Sequence, residues 1–366
     1  MKILSLFIKN HKTGWHLNEV LLNNLTLLVG ASGVGKSQIL NAILKLSQIA
    51  RGASTNGLEW KVEFSIHNDM YIWEGEFETA DDQDEINIKM DYFYEILWEK
   101  VSRNGKKIII RDKENLVYND IPTIKLDIYK SAIELLKQED DIAPIYTAFR
   151  NVYVLDTENR GIKVSPVMND WNDSKTKEEI KRMRRLSPLE KLFLLRKNNN
   201  PMFREICESF IGIFPMVNQI DFTTRIFFDD RTFPVLQIKE RDEEKWILQS
   251  DISSGMFRTL SMLVTLKLAE DGDIILIDEF ENGLGVNCIN DLAEMIKLPD
   301  ADVQIVMTSH HPYIINTMPY SIWKIVTRKA SDVRVYTASE LNIGEHSRHD
   351  AFIQLLQSTA YQEGRL

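Results

Sequence analysis

The stretch LTLLVGASGVGKSQILNAILKL, residues 25–46, decides the reading of this chain. Leu25–Val29 is a short apolar run of the kind that forms a buried strand, and it stops at a glycine-rich loop. Beyond the loop, Ile39, Leu40, Ile43, Leu44 and Leu46 recur at helical spacing. Strand, loop and helix thus follow in the order that a phosphate site needs. The loop GASGVGKS matches G-x-x-x-x-G-K-[ST], with Gly30, Gly35, Lys36 and Ser37 at the fixed places. The glycines let backbone amides converge on phosphates, the helix N-terminus adds positive potential, and Lys36 supplies a cation for the β and γ phosphates. The Ser37 hydroxyl is the expected Mg²⁺ ligand. The nucleotide-contacting set is read as Gly30, Ser32, Gly33, Gly35, Lys36, Ser37 and Gln38.

A second run, DIILIDE at 273–279, ends four apolar residues in adjacent carboxylates, as at the mouth of a buried parallel strand. A carboxylate there can anchor hydrated Mg²⁺, and its neighbour can deprotonate the attacking water; Asp278 and Glu279 are assigned these roles in that order. Upstream, ISSGMFRTLSMLVTLKLAE at 252–270 places Ser253, Ser254 and Gly255 before an amphipathic helix. Two readings stand side by side: an ordinary serine N-cap, or a helix N-terminus that faces a γ phosphate. VQIVMTSHHP at 303–312 sets Ser309, His310 and His311 after another apolar strand, at the sheet edge that would carry Asp278. An isolated histidine pair is ordinarily structural, and it is the location that makes His310 a candidate phosphate sensor.

The rest of the chain supports an α/β globular protein. It has 366 residues, 44% hydrophobic and 27% charged, which is enough for one large core or two smaller ones. A formal charge of −10 argues against a surface that is positive throughout, as non-specific nucleic-acid binding needs. Cys207 and Cys288 lie far apart without zinc-site spacing, the N-terminal apolar run is too short for a signal peptide, and no uncharged stretch spans a bilayer. A cytoplasmic location without membrane contact is expected. Residues 59–78 alternate as an antiparallel hairpin turning near Asn68 and Asp69, and a second hairpin is expected around Asn104 and Gly105. Glu78–Glu85 reads as a solvated acidic loop, and about 174–217 as helical. Apolar runs at 233–238, 273–277 and 303–307 alternate with helical patterns, the signature of a parallel sheet covered by helices. The expected organisation is a core from both termini, 1–84 and 231–340, with an insertion at 85–230 and a helical tail at 341–366.

In order, GASGVGKS, ISSGM, ILIDE, ENGLG and TSHHP resemble the ATP-binding-cassette ATPases, especially the soluble branch of SMC-like and OLD-type proteins. The resemblance implies a P-loop NTPase fold of the ABC type: a mainly parallel core sheet flanked by helices, an antiparallel β subdomain and a helical insertion. It implies ATP and Mg²⁺ as ligands, Lys36, Glu279 and His310 as the catalytic set, and Ser37 and Asp278 at the metal. It makes Ser253 and Gly255 the signature loop that completes the pocket of a second copy, so that ATP joins a head-to-tail homodimer. Asn282–Gly285 resembles the loop crossing that interface, with Gly285 where transporter members carry aspartate.

Roughly 200 residues separate Ser37 from Ser253 without a heptad array, and only about 50 follow His310. The first interval does not suit an SMC arm, and the second is too short for the Toprim domain of OLD-type proteins. What remains resembles the stand-alone ATPases of bacterial antiphage systems such as Septu and retron-linked modules, which imply a dimeric sensor or regulator of a separate effector, often a nuclease encoded nearby. The alternative is an SMC-like DNA-repair or chromosome-handling ATPase gripping nucleic acid directly, and a third reading is a scaffold that binds nucleotide without hydrolysis. Lys175, Lys177, Lys181, Arg182, Arg184, Arg185, Lys191, Arg196 and Lys197 form a local cationic run that suits DNA, RNA, an acidic partner or simply a solvated helix face.

Overall fold

Apolar runs flanked by turn residues become strands throughout this chain, and amphipathic runs opened by capping residues become helices. The computed structural model describes residues 1–80, 93–124, 126–155, 175–183, 186–226, 232–344 and 348–365. The chain forms two compact units, one of Met1–Val154, Asp271–Phe280 and Val303–Leu366, the other of Leu155–Glu270 and Glu281–Asp302.

The first unit opens with an antiparallel pair, β1 (Lys2–Asn10) and β2 (His16–Leu21), before β3 (Leu25–Val29) leads into α1 (Lys36–Ile49). A meander follows: β4 (Leu58–Ile66), β5 (Asp69–Phe77), β6 (Ile96–Arg103), β7 (Lys106–Asp112), β8 (Leu116–Tyr118) and β9 (Ile121–Pro122). In β4 every second residue is buried, which is how one face of a half-covered sheet reads. The β4–β5 turn is His67–Asn68, with positive φ at His67, and the β6–β7 turn is Asn104–Gly105, with positive φ at both residues, the two-residue geometry that matches strand twist. Trp60, Phe64, Tyr71, Trp73 and Phe77 fill the inner face, and Phe149 meets Phe64 and Trp73 edge-on. Phe149 lies in α3 (Ala143–Arg150), which follows α2 (Ala132–Leu135) and precedes β10 (Val152–Val154).

The second unit carries α4 (Lys177–Arg182), α5 (Pro188–Lys197), α6 (Pro201–Ile213), the antiparallel strands β11 (Val217–Ile226), β12 (Thr232–Glu240) and β13 (Trp246–Leu248), then α7 (Ser254–Lys267). Its helix starts are written in the sequence: Thr176 with Glu179 and Ser187 with Glu190 form capping boxes, and Asn200 caps α6 with Pro201 at the first helical position. α7 is buried along most of its length by α5, α6 and α8 (Val286–Lys297).

Between α7 and α8 the chain contributes β14 (Ile274–Ile277) to the first unit, and it returns there with β15 (Gln304–Thr308), α9 (Pro312–Thr317), β16 (Trp323–Lys329), β17 (Asp332–Thr337), α10 (Arg348–Gln357) and α11 (Thr359–Gln362). One sheet of 14 strands results, in the order β10-β14-β15-β3-β16-β17-β2-β1-β4-β5-β6-β7-β8-β9. From β10 to β16 neighbours run parallel, and the long arm beyond is antiparallel apart from the short β17–β2 pairing. The parallel strands β14 and β15 are buried at every position, as strands covered on both faces are. The fold is the expected one: a P-loop NTPase sheet with helices, an antiparallel β arm and a separate helical region. No described helix is long and apolar enough to cross a membrane.

Candidate functional site

β14, β15 and β3 are neighbours and parallel, with Ile277 opposite Met307 and Thr308 opposite Leu28. Their carboxyl ends therefore bring the loop after Val29, the carboxylates after Ile277 and the residues after Thr308 to one edge of the sheet. This edge is where open parallel sheets collect ligands, since the turns leaving each strand splay apart there.

Gly30, Gly33 and Gly35 hold φ of 145°, 81° and 105°, which curls the loop into a nest of amides ahead of α1. Gly30 is also obligatory by contact: a Cβ there would lie 2.5 Å from the Val326 carbonyl oxygen. Lys36, 5% exposed, folds back over the loop and donates to the carbonyls of Gly30 at 2.9 Å and Ala31 at 2.8 Å. Ser32, Gly33, Ser37 and Gln38 are exposed, so the mouth of the nest is open to a ligand. From below, the loop rests on the C-terminal segment, where Gly364 packs on Val34 and accepts the Arg328 amide at 2.7 Å.

Ser37 Oγ donates to Asp278 Oδ1 at 3.0 Å, across a sequence separation of 241 residues. Thr308 Oγ1 donates to the same carboxylate oxygen at 2.6 Å and accepts the Glu279 amide at 2.8 Å. Glu279 is exposed and has φ of 46°, the left-handed region that non-glycine residues enter rarely. Lys36, Ser37, Asp278 and Glu279 are thereby assembled on one sheet edge, with His310 half-buried two residues beyond Thr308.

One family model, described as "AAA domain, putative AbiEii toxin, Type IV TA system", matches residues 25–316, most of the chain. The chain belongs to that family. Among solved structures this AAA-domain chain is similar to an Smc head bound to the C-winged helix domain of ScpA, at 15% identity and TM-score 0.50, covering 92% of this chain and 98% of that one. An SMC head domain from Thermotoga maritima (12% identity, TM-score 0.42, 92% and 99% covered) is also similar. So is an Smc head with an extended coiled coil bound to the C-terminal domain of ScpA, derived from Pyrococcus furiosus (14%, 0.45, 93% and 97%). The first shows that the chain has the fold of an Smc head. No curated protein matches.

The remaining candidates of the AAA-domain chain lie in the second unit. Ser253 caps α7, its hydroxyl accepting the Met256 amide at 3.3 Å. Gly255 faces the turn before α8: a Cβ would lie 3.0 Å from the Gly283 oxygen and 3.6 Å from the Gly285 nitrogen. The signature-like and crossing-loop-like segments are thus packed together, with Gly285 as the N-cap of α8. The cationic run is partly engaged. Lys181 donates to the Ala269 carbonyl, Lys191 to that of Lys181, and Arg196 is paired with Asp221 through two bonds. Arg184 and Arg185, like residues 81–85 of the acidic stretch, lie outside the described residues.

Thr308, which bonds both Asp278 and the Glu279 amide, is a residue that sequence reasoning passed over. It stands inside TSHHP at a strand end, and the only signal was a hydroxyl at the level of Asp278 on the adjacent strand. Arg328, whose Nη1 donates to the Gly33 carbonyl at 3.4 Å, carried no signal at all.

Proposed function

We propose that this chain binds ATP with Mg²⁺ at the sheet edge formed by β14, β15 and β3, and that it hydrolyses the γ phosphate. The observation that carries this is the assembly of Lys36, Ser37, Asp278 and Glu279 from segments more than 200 residues apart. Ser37 and Asp278 offer hard oxygen donors 3.0 Å apart beside an open amide nest, a donor set suited to a cation that keeps most of its waters. Magnesium bound there would neutralise charge building on the β and γ oxygens. Lys36 adds a second cation once phosphates compete with the Gly30 and Ala31 carbonyls for its ammonium group. Glu279 orients the attacking water and takes its proton, for which its exposure at the strand mouth suits it. His310 contacts the γ phosphate from the next strand end.

The same reading assigns Ser253 and Gly255 to the pocket of a second copy. The α7 N-terminus, 14 residues of aligned dipole behind it, suits an anion presented by a partner. Two ATP molecules would then join a head-to-tail homodimer. We assign this dimer the work of a sensor or regulator that controls a separate effector, a nuclease, in antiphage defence. The family description, which names a toxin of a toxin–antitoxin system, is in keeping with a two-component arrangement of this kind. The internal bonds of Lys181, Lys191 and Arg196 leave fewer cations for a direct grip on nucleic acid, and so favour the effector reading over the chromosome-handling one.

Glu279→Gln tests the reading. It removes the base and leaves the nest, Lys36 and the metal donors intact. Sedimentation of this variant with Mg·ATP is expected to show a dimer that Mg·ADP does not support, with turnover reduced by about 10²–10⁴-fold. A monomer in both nucleotides would refute the shared pocket, and unchanged turnover would refute Glu279 as the base.

A further inference from the structure

One buried residue ties together the whole acidic corner of the site. Thr308 is 1% exposed and ends β15. Its hydroxyl proton goes to Asp278 Oδ1 at 2.6 Å, and a lone pair of the same oxygen accepts the Glu279 N–H at 2.8 Å. Its carbonyl accepts the Phe280 N–H at 3.0 Å. Three consecutive residues leaving β14 are therefore held by one residue of the neighbouring strand.

What these bonds hold matters for chemistry. Asp278 Oδ1 also accepts from Ser37 Oγ, so the Thr308 bond sets the rotation of the carboxylate relative to the other metal donor. Glu279 has φ of 46°, a backbone state that persists only where surroundings over-determine it. The bond from its amide to Thr308 is one such restraint. Relaxation of φ into the ordinary region would swing the Glu279 side chain off its present line.

We propose that Thr308 is a positioning residue for ATP hydrolysis: its single hydroxyl sets the Asp278 carboxylate for the metal and, through the Glu279 amide, the direction of the base. The inference rests on the ATPase reading above. A residue that only satisfied a strand end would affect folding without touching metal affinity or the balance between kcat and KM.

The full chain, Thr308→Val and Thr308→Ser separate these roles. Valine keeps the shape and loses the hydroxyl, whereas serine keeps the hydroxyl. For each protein the measurements are the melting temperature, kcat and KM for Mg·ATP, Mn²⁺ binding by electron paramagnetic resonance with a non-hydrolysable ATP analogue, and binding of a fluorescent ATP in EDTA. Thr308→Val is expected to lower kcat and weaken Mn²⁺ binding, each by about 10–100-fold, as loss of a group that orients a metal ligand does. Metal-free nucleotide binding, which depends on the loop and Lys36, is expected to be unchanged, and Thr308→Ser to recover most of both losses. If valine does not fold, Thr308→Ala removes the same hydroxyl without a branched side chain. Folded valine or alanine variants with wild-type kcat and Mn²⁺ affinity would overturn the inference alone, as would a serine variant no better than valine. A wild-type chain that neither hydrolyses ATP nor binds Mn²⁺ with nucleotide would overturn the ATPase reading and this inference with it.

Discussion

At the scale of single residues, the candidate site is legible where spacing and position constrain residue type. Gly30, Lys36 and Ser37 are fixed relative to the end of β3, and Asp278 and Glu279 relative to the end of β14. Thr308 was not legible, because its partners are 30 and 29 residues away and a threonine closing a strand is unremarkable in sequence. Gly30 gives the sharpest test of the loop. With φ at 145° and the Val326 oxygen 2.5 Å from any added Cβ, Gly30→Ala must displace either the loop or β16. Strain of about 1–3 kcal/mol is expected, seen as a lower melting temperature together with weaker nucleotide binding. A variant as stable as wild type that binds nucleotide as tightly would show that the close approach does not constrain the nest.

At the scale of elements, alternation and apolar runs carried the reading. β4 alternates and is half-covered, whereas β14 is unbroken and buried throughout. The pattern misleads in β6, ILWEKVSR, where Glu99 looks like an outward-facing acid. It is fully buried. Its carboxylate accepts bonds from the Trp73 indole, the Ser131 hydroxyl and the Ala132 amide, with Arg111 at 3.8 Å. These partners come from β5, β7 and the start of α2, so nothing local signals them. Burial pulls the Arg111 guanidinium below its ordinary value, opposed by the Glu99 charge. Glu99→Ala would strand that buried cation and several donors, and is expected to cost about 3–5 kcal/mol in denaturant unfolding. A loss under about 1 kcal/mol would mean that the cluster is relieved by water instead. In the cationic run, the heads of the half-buried Lys181 and Lys191 reach the carbonyls of Ala269 and Lys181, and the exposed Arg196 pairs with the carboxylate of Asp221, partners that nothing local in the sequence signals.

At the scale of the molecule, the chain builds one sheet from both of its ends: β3 comes early, β14, β15 and β16 come late, and a second unit of helices and a small sheet intervenes. The apolar runs at 273–277 and 303–307 are the parallel strands β14 and β15, whereas the run at 233–238 falls in β12 of the separate antiparallel sheet; the sequence draws the insertion at 85–230, and the second unit holds Leu155–Glu270 and Glu281–Asp302. The long antiparallel arm beyond β17 was harder, because its final strands β8 and β9 are only 3 and 2 residues long. Every role proposed above depends on ATP hydrolysis at this sheet edge. Steady-state phosphate release, with and without Mg²⁺, compared between the wild-type chain and Lys36→Ala, tests it most directly. Magnesium-dependent turnover that falls by about 10²-fold or more in Lys36→Ala is the expected result. No turnover by the wild type, or equal turnover by both proteins, would contradict it.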